Sequence, residues 1–114
     1  MTMPVLFVGH GNPMNAIEDN DFSRTWTELG RQLPRPRGIL CVSAHWETDG
    51  TCVTAAQRPE TIHDFSGFPA ELNHLEYPAP GSPALARKVM DCTRYARIRH
   101  DRSWGLDHGA WSVL

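Results

Sequence analysis

Two continuous apolar runs dominate the first half of the chain, at 4–8 and 38–44. Neither run alternates between apolar and polar positions, which is typical of strands covered on both faces. A third strand is predicted at 51–55, pairing beside the second after an Asp-Gly turn. This pattern predicts an α/β fold with a central, mostly parallel sheet and flanking helices.

Two helices are predicted from apolar positions that recur with helical spacing. From Asn20 the apolar positions recur four, three and four residues apart, which predicts an amphipathic helix ended by Pro34. A second helix is predicted to start at Ser82-Pro83, with a buried stripe formed by Leu85, Val89 and Cys92. Between the helices, 58–83 is a proline-rich loop region with a short helix near 70–75, and a short strand is expected at 96–99.

Composition narrows the classes of function. The chain has 114 residues, 40% of them hydrophobic, which suits one compact domain. Its 11 basic and 13 acidic residues nearly balance, so we expect no nucleic-acid partner. A local basic stretch is interpreted as a solvated face; it comprises Arg94, Arg97, Arg99 and Arg102.

The cysteines and the apolar segments indicate the cellular compartment of the protein. Cys41, Cys52 and Cys92 are odd in number and lack CxxC spacing, so we expect reduced, buried thiols. The N-terminus has no basic leader region, and no apolar run is long enough to span a bilayer. These features predict a cytoplasmic protein without a membrane segment.

Histidines at strand ends are the first candidates for chemistry. His10 and His45 each follow an apolar run, and the carboxyl ends of parallel strands line the ligand crevice of open α/β sheets. Two converging imidazoles suit iron, zinc, copper or nickel. The alternative is that both histidines simply make hydrogen bonds at strand ends, because a spacing of this length is not diagnostic of a metal site.

Other candidates also carry two interpretations. His108 lies between two glycines and could be a general acid or base, or it could sit in the first turn of a helix capped by Asp107. His63 beside Asp64 could be an oriented base or a turn residue, whereas His74 and His100 are expected to be exposed. Three tryptophans could wall a pocket or belong to the core: Trp46, Trp104 and Trp111. No nucleophile elbow, P-loop or dinucleotide fingerprint is present.

Six short motifs occur in a characteristic order. They are GHGNPM at 9–14, SAHW at 43–46, TIHDF at 61–65, GFP at 67–69, YPAPGSP at 77–83 and WGLDHG at 104–109. Together they resemble the N-terminal half of the class III extradiol ring-cleavage dioxygenases, in the DOPA dioxygenase-like branch related to the catalytic LigB-type chain of protocatechuate dioxygenase. The resemblance extends over essentially the whole chain, so 1–114 is expected to be the N-terminal part of one such domain.

This resemblance implies a function and a set of site residues. A member of this family opens a small catechol-type aromatic ring with Fe(II) and O2, and zinc can occupy the same site. By analogy, His10 and His45 would be metal ligands, His108 would lie near the substrate hydroxyls, and Asp64 and Phe65 would border the substrate pocket. The chemistry agrees, because the metal would bind the catechol oxygens while a base removes their protons.

The chain also departs from the family pattern. Asn12 stands where many relatives carry serine. The longer relatives supply a third metal ligand and a second catalytic histidine, in a Gly-Asn-x-x-His-Asn segment, from a C-terminal half that these residues lack. The alternatives are therefore a non-enzymatic metal-binding or interaction module of the same superfamily, and a zinc hydrolase. An uncovered sheet edge would also favour a homo-oligomer.

Overall fold

Helices and a small parallel sheet make up the regular structure within residues 2–114, which a computed structural model describes. In chain order the elements are α1 (Asp21–Gln32), β1 (Thr51–Thr54), α2 (Ala70–Asn73), α3 (Pro83–Cys92), β2 (Ile98–Asp101) and α4 (His108–Trp111), with a short 3-10 turn (Pro13–Ala16) before α1. The α/β class with flanking helices is confirmed.

The sheet pairs β1 with β2 in parallel, with Thr51 opposite Ile98 and Thr54 opposite Asp101. Helix α3 connects the two strands and contacts both of them. One further hydrogen bond runs from the Ala55 amide to the Asp101 carbonyl at 2.8 Å. The predicted third strand is confirmed, but its partner is β2 and not the run at 38–44, because the crossover helix brings β2 alongside it.

The strands predicted at 4–8 and 38–44 are not formed within the described residues. Val5, Phe7 and Val42 are almost fully exposed, at 98%, 104% and 91%. A strand exists only where a neighbouring strand accepts and donates its backbone hydrogen bonds. Because neither run pairs with another segment of residues 2–114, apolar character alone did not produce a strand.

Helix α1 begins and ends where the pattern predicts. The Asn20 side chain accepts hydrogen bonds from the Phe22 and Ser23 amides, each at 3.0 Å, and Ser23 completes a capping box. The apolar stripe is present, yet no residue of α1 is buried against the rest of residues 2–114, and Phe22 is 65% exposed. Local capping therefore defines this helix without tertiary burial of its apolar face.

Helix α3 confirms the predicted start but not the predicted burial. The Ser82 hydroxyl accepts from the Leu85 amide at 3.1 Å, and Pro83 occupies the first turn. Ala86 is the buried residue of this helix, whereas Cys92 is exposed. The prediction of buried thiols was wrong: Cys41 is also exposed and Cys52 is half-buried, because the surfaces next to them are uncovered within the described residues. All three cysteines are free.

The best-packed region surrounds α4. Ala110 and Trp111 are buried there, and the Trp111 indole donates to the Ile62 carbonyl at 2.9 Å. The Ile62 amide in turn donates to the Leu106 carbonyl at 2.7 Å, in a parallel bridge. The loop region after β1 is thereby fastened to the segment that enters α4.

The surface agrees with two of the sequence interpretations. The four arginines of the basic stretch are exposed, as expected for a solvated face. Within residues 2–114, helices are too short or too polar to cross a membrane.

Candidate functional site

His10 lies in a turn that its own neighbours hold in place. Gly11 has φ of 65°, a conformation in which a residue without Cβ is favoured. Asn12 caps the following 3-10 turn by accepting from the Met14 amide at 2.9 Å. The Asn15 amide side chain donates to the His10 carbonyl at 3.0 Å. These contacts orient the backbone that carries His10.

Ser43 connects the His45 segment to the start of α4. Its hydroxyl donates to Asp107 Oδ1 at 2.7 Å and accepts from the His45 amide at 3.2 Å. The same Asp107 oxygen caps α4 by accepting from the Ala110 amide at 3.2 Å. One buried carboxylate thus joins the segment that carries His45 to the helix that begins with His108.

Gly109 allows α4 to approach His45 closely. A Cβ at this position would lie 2.5 Å from Ser43 Oγ and 2.9 Å from His45 Cδ2, both shorter than real Cβ contacts. A residue without a Cβ lets a neighbouring group approach its backbone closely. The structure shows that Gly109 admits the His45 segment of the chain itself.

His108 is the first residue of α4, with Asp107 as the N-cap residue, so the helix-cap interpretation is confirmed. Its ring is also engaged: Asp64 Oδ1 lies 2.8 Å from His108 Nδ1 and accepts from the His108 amide at 3.0 Å. The two side chains are largely buried, at 8% exposure for His108 and 18% for Asp64.

Three imidazoles converge at this point. The ring centroids of His10 and His45 are 4.9 Å apart, those of His10 and His108 are 5.0 Å apart, and those of His45 and His108 are 4.1 Å apart. Each residue offers a nitrogen, and these nitrogens all lie within 4.8 Å of one another. The structure therefore brings the three candidate histidines of the sequence into one cluster.

The cluster fits a metal ion on chemical grounds. Within residues 2–114, His10 Nδ1 and Asp107 Oδ2 are buried without a hydrogen-bond partner. A buried carboxylate oxygen without a partner is unfavourable, and a nearby cation would offset its charge. Imidazole nitrogens are common ligands of iron, zinc, copper and nickel. His10, His45 and His108 could hold such an ion.

Burial and charge determine the protonation of the site. Burial lowers the pKa of His10 below its usual 6.5, and the neighbouring His108 and His45 lower it further. Burial alone would raise the pKa of Asp64, but the hydrogen bonds from the His108 amide and ring outweigh it, so this pKa lies below the usual 3.8. A neutral His10 is the form that binds metal, and an ionised Asp64 is the form that accepts hydrogen bonds.

Phe65 adjoins the same histidine. Its ring meets His108 edge to face at a centroid distance of 5.6 Å, and Phe68 and Trp111 lie at 5.2 and 5.9 Å. Asp64 and Phe65 are thus both next to His108, and their role at the border of a substrate pocket stays a prediction. A separate cavity of about 340 Å³ lies beside His10 and the start of α1.

The remaining histidines lie outside the cluster. His63 Nε2 is 2.9 Å from the Leu75 carbonyl, so the neighbouring Asp64 orients His108 and not His63. His74 and His100 are exposed, as predicted. Of the tryptophans, Trp111 belongs to the core, whereas the other two stack in parallel at 5.8 Å; these are Trp46 and Trp104.

Sequence reasoning missed two connections at this site. Ser43 and Asp107 are hydrogen-bonded although 64 residues separate them, and Asp64 and His108 are bonded across 44 residues. Each of these residues lies beside a candidate histidine in a recognised motif, which was the only local signal. Spacing along the chain does not reveal which side chains meet across the fold.

Comparison with known proteins agrees with the motifs and the geometry. Residues 3–113 match the family described as the catalytic LigB subunit of aromatic ring-opening dioxygenase, and the chain belongs to this family. It is 55% identical over 113 residues to the 4,5-DOPA dioxygenase extradiol of Escherichia coli (strain K12), covering 98% of this chain and 42% of the relative. The protein of the same name from Beta vulgaris is 43% identical over 114 residues, covering 95% of this chain and 42% of the relative.

A third relative shows the same coverage. The 4,5-DOPA dioxygenase extradiol of Portulaca grandiflora is 39% identical over 115 residues, again covering 95% of this chain and 42% of the relative. The chain therefore spans less than half the length of these curated relatives.

Proposed function

We propose that residues 1–114 form the N-terminal part of one extradiol dioxygenase domain, whose reaction opens the ring of a small catechol with Fe(II) and O2. The observation that carries this proposal is the convergence of His10, His45 and His108 in a chain of this family. Two relatives are 4,5-DOPA dioxygenases by name, so DOPA is the first catechol to test.

In this proposal His10 and His45 hold the metal. The pKa of His10 is lowered by burial and by its two histidine neighbours, which favours the neutral, ligating form. The Ser43 hydroxyl accepts a hydrogen bond from the His45 backbone amide, and the missing Cβ of Gly109 avoids a clash with both residues. When bound, Fe(II) would supply a Lewis acid for the catechol oxygens and electrons for oxygen chemistry.

His108 serves as the base for the substrate in this proposal. Its Nδ1 is hydrogen-bonded to Asp64, so Nε2 is the ring nitrogen left to take a proton from a catechol hydroxyl. Phe65, which meets the same ring edge to face, presents an aromatic side chain next to the place where a flat substrate would bind. Asp64 and Phe65 are the proposed pocket residues.

A second candidate function is a metal-binding module without oxygenase activity. It is favoured by one observation, namely that all three nitrogens of the cluster come from this chain, which spans 42% of the length of its relatives. In that case His108 would be the third ligand, with Asp64 as its hydrogen-bond acceptor behind the metal.

Metal content and oxygen uptake separate the two candidates. The protein at the full length of its relatives is loaded with Fe(II) without air, its bound iron is measured, and oxygen consumption is then followed with a panel of catechols. We expect one iron per chain and a product that has gained both atoms of isotopically labelled O2. Bound iron without oxygen uptake for any catechol would contradict the dioxygenase proposal and favour the metal-binding module. His74→Ala is the matched control, because His74 is exposed and outside the cluster.

A further inference from the structure

We infer that Asp64 is a positioning residue for His108: it fixes the tautomer, so that the neutral ring carries its proton on Nδ1 and its lone pair on Nε2. The consequence for catalysis rests on the proposed function, but the tautomer itself does not. Asp64 was expected to border a substrate pocket, or to orient the adjacent His63. The structure places its carboxylate against Nδ1 of His108.

The hydrogen bonds specify which ring nitrogen is protonated. An ionised carboxylate only accepts, so the 2.8 Å contact between Asp64 Oδ1 and His108 Nδ1 requires the proton on Nδ1. The same oxygen accepts from the His108 backbone amide at 3.0 Å. The pKa of Asp64 lies below its usual value because, although burial raises it, these two hydrogen bonds lower it more. The carboxylate is therefore ionised at neutral pH.

The surroundings limit rotation of the ring. His108 is 8% exposed, and its backbone is held in the first turn of α4 by the Asp107 cap. Phe65 meets the imidazole edge to face at 5.6 Å and is the next residue after Asp64. One short segment thus supplies both the hydrogen-bond acceptor and an aromatic contact for the ring. A ring flip would exchange the nitrogens only at the cost of a buried hydrogen bond.

The tautomer decides what His108 can do to a catechol. With Nε2 unprotonated, the proton of a catechol hydroxyl moves to Nε2, and the electron pair of the O–H bond remains on the substrate oxygen. The product imidazolium carries a proton on each nitrogen, and the Asp64 carboxylate stabilises its positive charge. In the opposite tautomer Nε2 already bears a proton and cannot accept another.

The test reads the tautomer directly, in the metal-free chain without substrate. Long-range proton–nitrogen NMR correlations of the histidine rings distinguish protonated from unprotonated nitrogens, and His108→Gln identifies the His108 signals. At a pH at which the ring is neutral, we expect His108 to show a protonated Nδ1, with a downfield proton, and an unprotonated Nε2. Asp64→Ala should convert this pattern to a mixture of both tautomers. Asp91→Asn, an exposed carboxylate on α3, should leave it unchanged.

A second variant keeps the inference testable if Asp64→Ala fails to fold. Asp64→Asn retains an oxygen acceptor of nearly the same shape but removes the charge, so the Nδ1 proton should move upfield as its hydrogen bond weakens. An unchanged His108 spectrum in folded Asp64→Asn or Asp64→Ala would overturn the inference. A full-length protein with the expected tautomer that consumes no oxygen with any catechol would instead contradict the proposed function alone.

Discussion

The Nε2 atoms of His10 and His45 lie 2.7 Å apart, although 35 residues separate the two histidines. At this distance one ring nitrogen must donate its proton to the other, because two unprotonated nitrogens would only repel each other. The contact therefore favours a single shared proton in the metal-free chain. A divalent cation that replaces this proton would satisfy both nitrogens at once.

The first prediction separates a ligand from a base. His45→Ala should abolish retention of Fe(II), because it removes one of the two proposed ligands. His108→Ala should retain the metal but lower turnover by roughly 10²–10⁴-fold, the usual contribution of a general base. Metal content by elemental analysis and oxygen uptake with a catechol give the two readouts.

Loss of iron to the same extent in both variants would contradict these roles and would make His108 a third ligand. His100→Ala provides the comparison, because His100 is exposed and lies outside the cluster. Its metal content and turnover should equal those of the unsubstituted chain.

The second prediction concerns the close approach at Gly109. In Gly109→Ala the new methyl group would lie 2.5 Å from Ser43 Oγ and 2.9 Å from His45 Cδ2, so one of these segments must shift. We expect a loss of about 1–3 kcal/mol in the free energy of unfolding, the range typical of overpacking, together with weaker metal binding. Urea denaturation and metal titration provide the measurements.

Gly30→Ala is the matched control for this substitution. Gly30 lies within α1, and a Cβ there would meet nothing within 4 Å. Alanine is the better helix former, so the free energy of unfolding of this variant should rise by about 0.5–1 kcal/mol. If the two variants have the same free energy of unfolding and the same metal affinity, the close approach of Gly109 to the His45 segment does not contribute to either.

The third prediction is that the ionised side chain of Asp101 stabilises the fold, so that stability falls at acidic pH. Its pKa lies below the usual 3.8 because its side chain accepts hydrogen bonds from the Ser103 hydroxyl and from the Trp104 and Ser103 amides. A lowered folded pKa means that this stabilisation is present above pH 3.8 and is lost as the pH falls through the folded pKa. Ser103→Ala should therefore lower stability above that pH and flatten the acid-dependent fall below it.

Denaturation midpoints across a pH series test this effect. Ser66→Ala is the control, because Ser66 is exposed and lies outside this turn. If Ser103→Ala and Ser66→Ala give the same pH profile, the hydroxyl of Ser103 does not stabilise the ionised Asp101.

The fourth prediction follows from the uncovered apolar runs. Phe7 and Val42 are 104% and 91% exposed, and exposed apolar surface promotes association. We expect the isolated chain to self-associate as its concentration rises, and Phe7→Ser to reduce this association in sedimentation experiments. Tyr95→Ser should not, because Tyr95 is equally exposed but belongs to neither run. A monomer at all concentrations would refute the prediction.

Helices were the most predictable part of the fold. Asn20 and Ser82 cap α1 and α3 at the positions that the sequence indicates, and Asp107 caps α4. Capping needs only residues within one turn of each other, so the signal is contained in the local sequence. Burial of the helix faces was less predictable, because it depends on what packs against them.

At the candidate site, too, the sequence predicted the residues better than the contacts between them. The sequence identified His10, His45 and His108 as chemically capable residues and placed the first two at the ends of apolar runs. It predicted that His10 and His45 could converge, and the resemblance placed His108 at the same site; for Asp64 it offered only a place beside His63 or at the border of the substrate pocket. The actual partner of Asp64 is His108, which the folding of the loop region against α4 brings within 2.8 Å.

By itself, the sequence determined the family, the helix boundaries and the residue types of the site, because motifs and caps are local properties. Only the tertiary structure decided that β1 pairs with β2, that the runs at 4–8 and 38–44 stay unpaired in residues 2–114, and that Asp107 joins Ser43 to α4. Pairing and side-chain convergence depend on which distant segments pack together. That packing results from the burial of Leu72 and Trp111 and from hydrogen bonds between residues far apart in the chain.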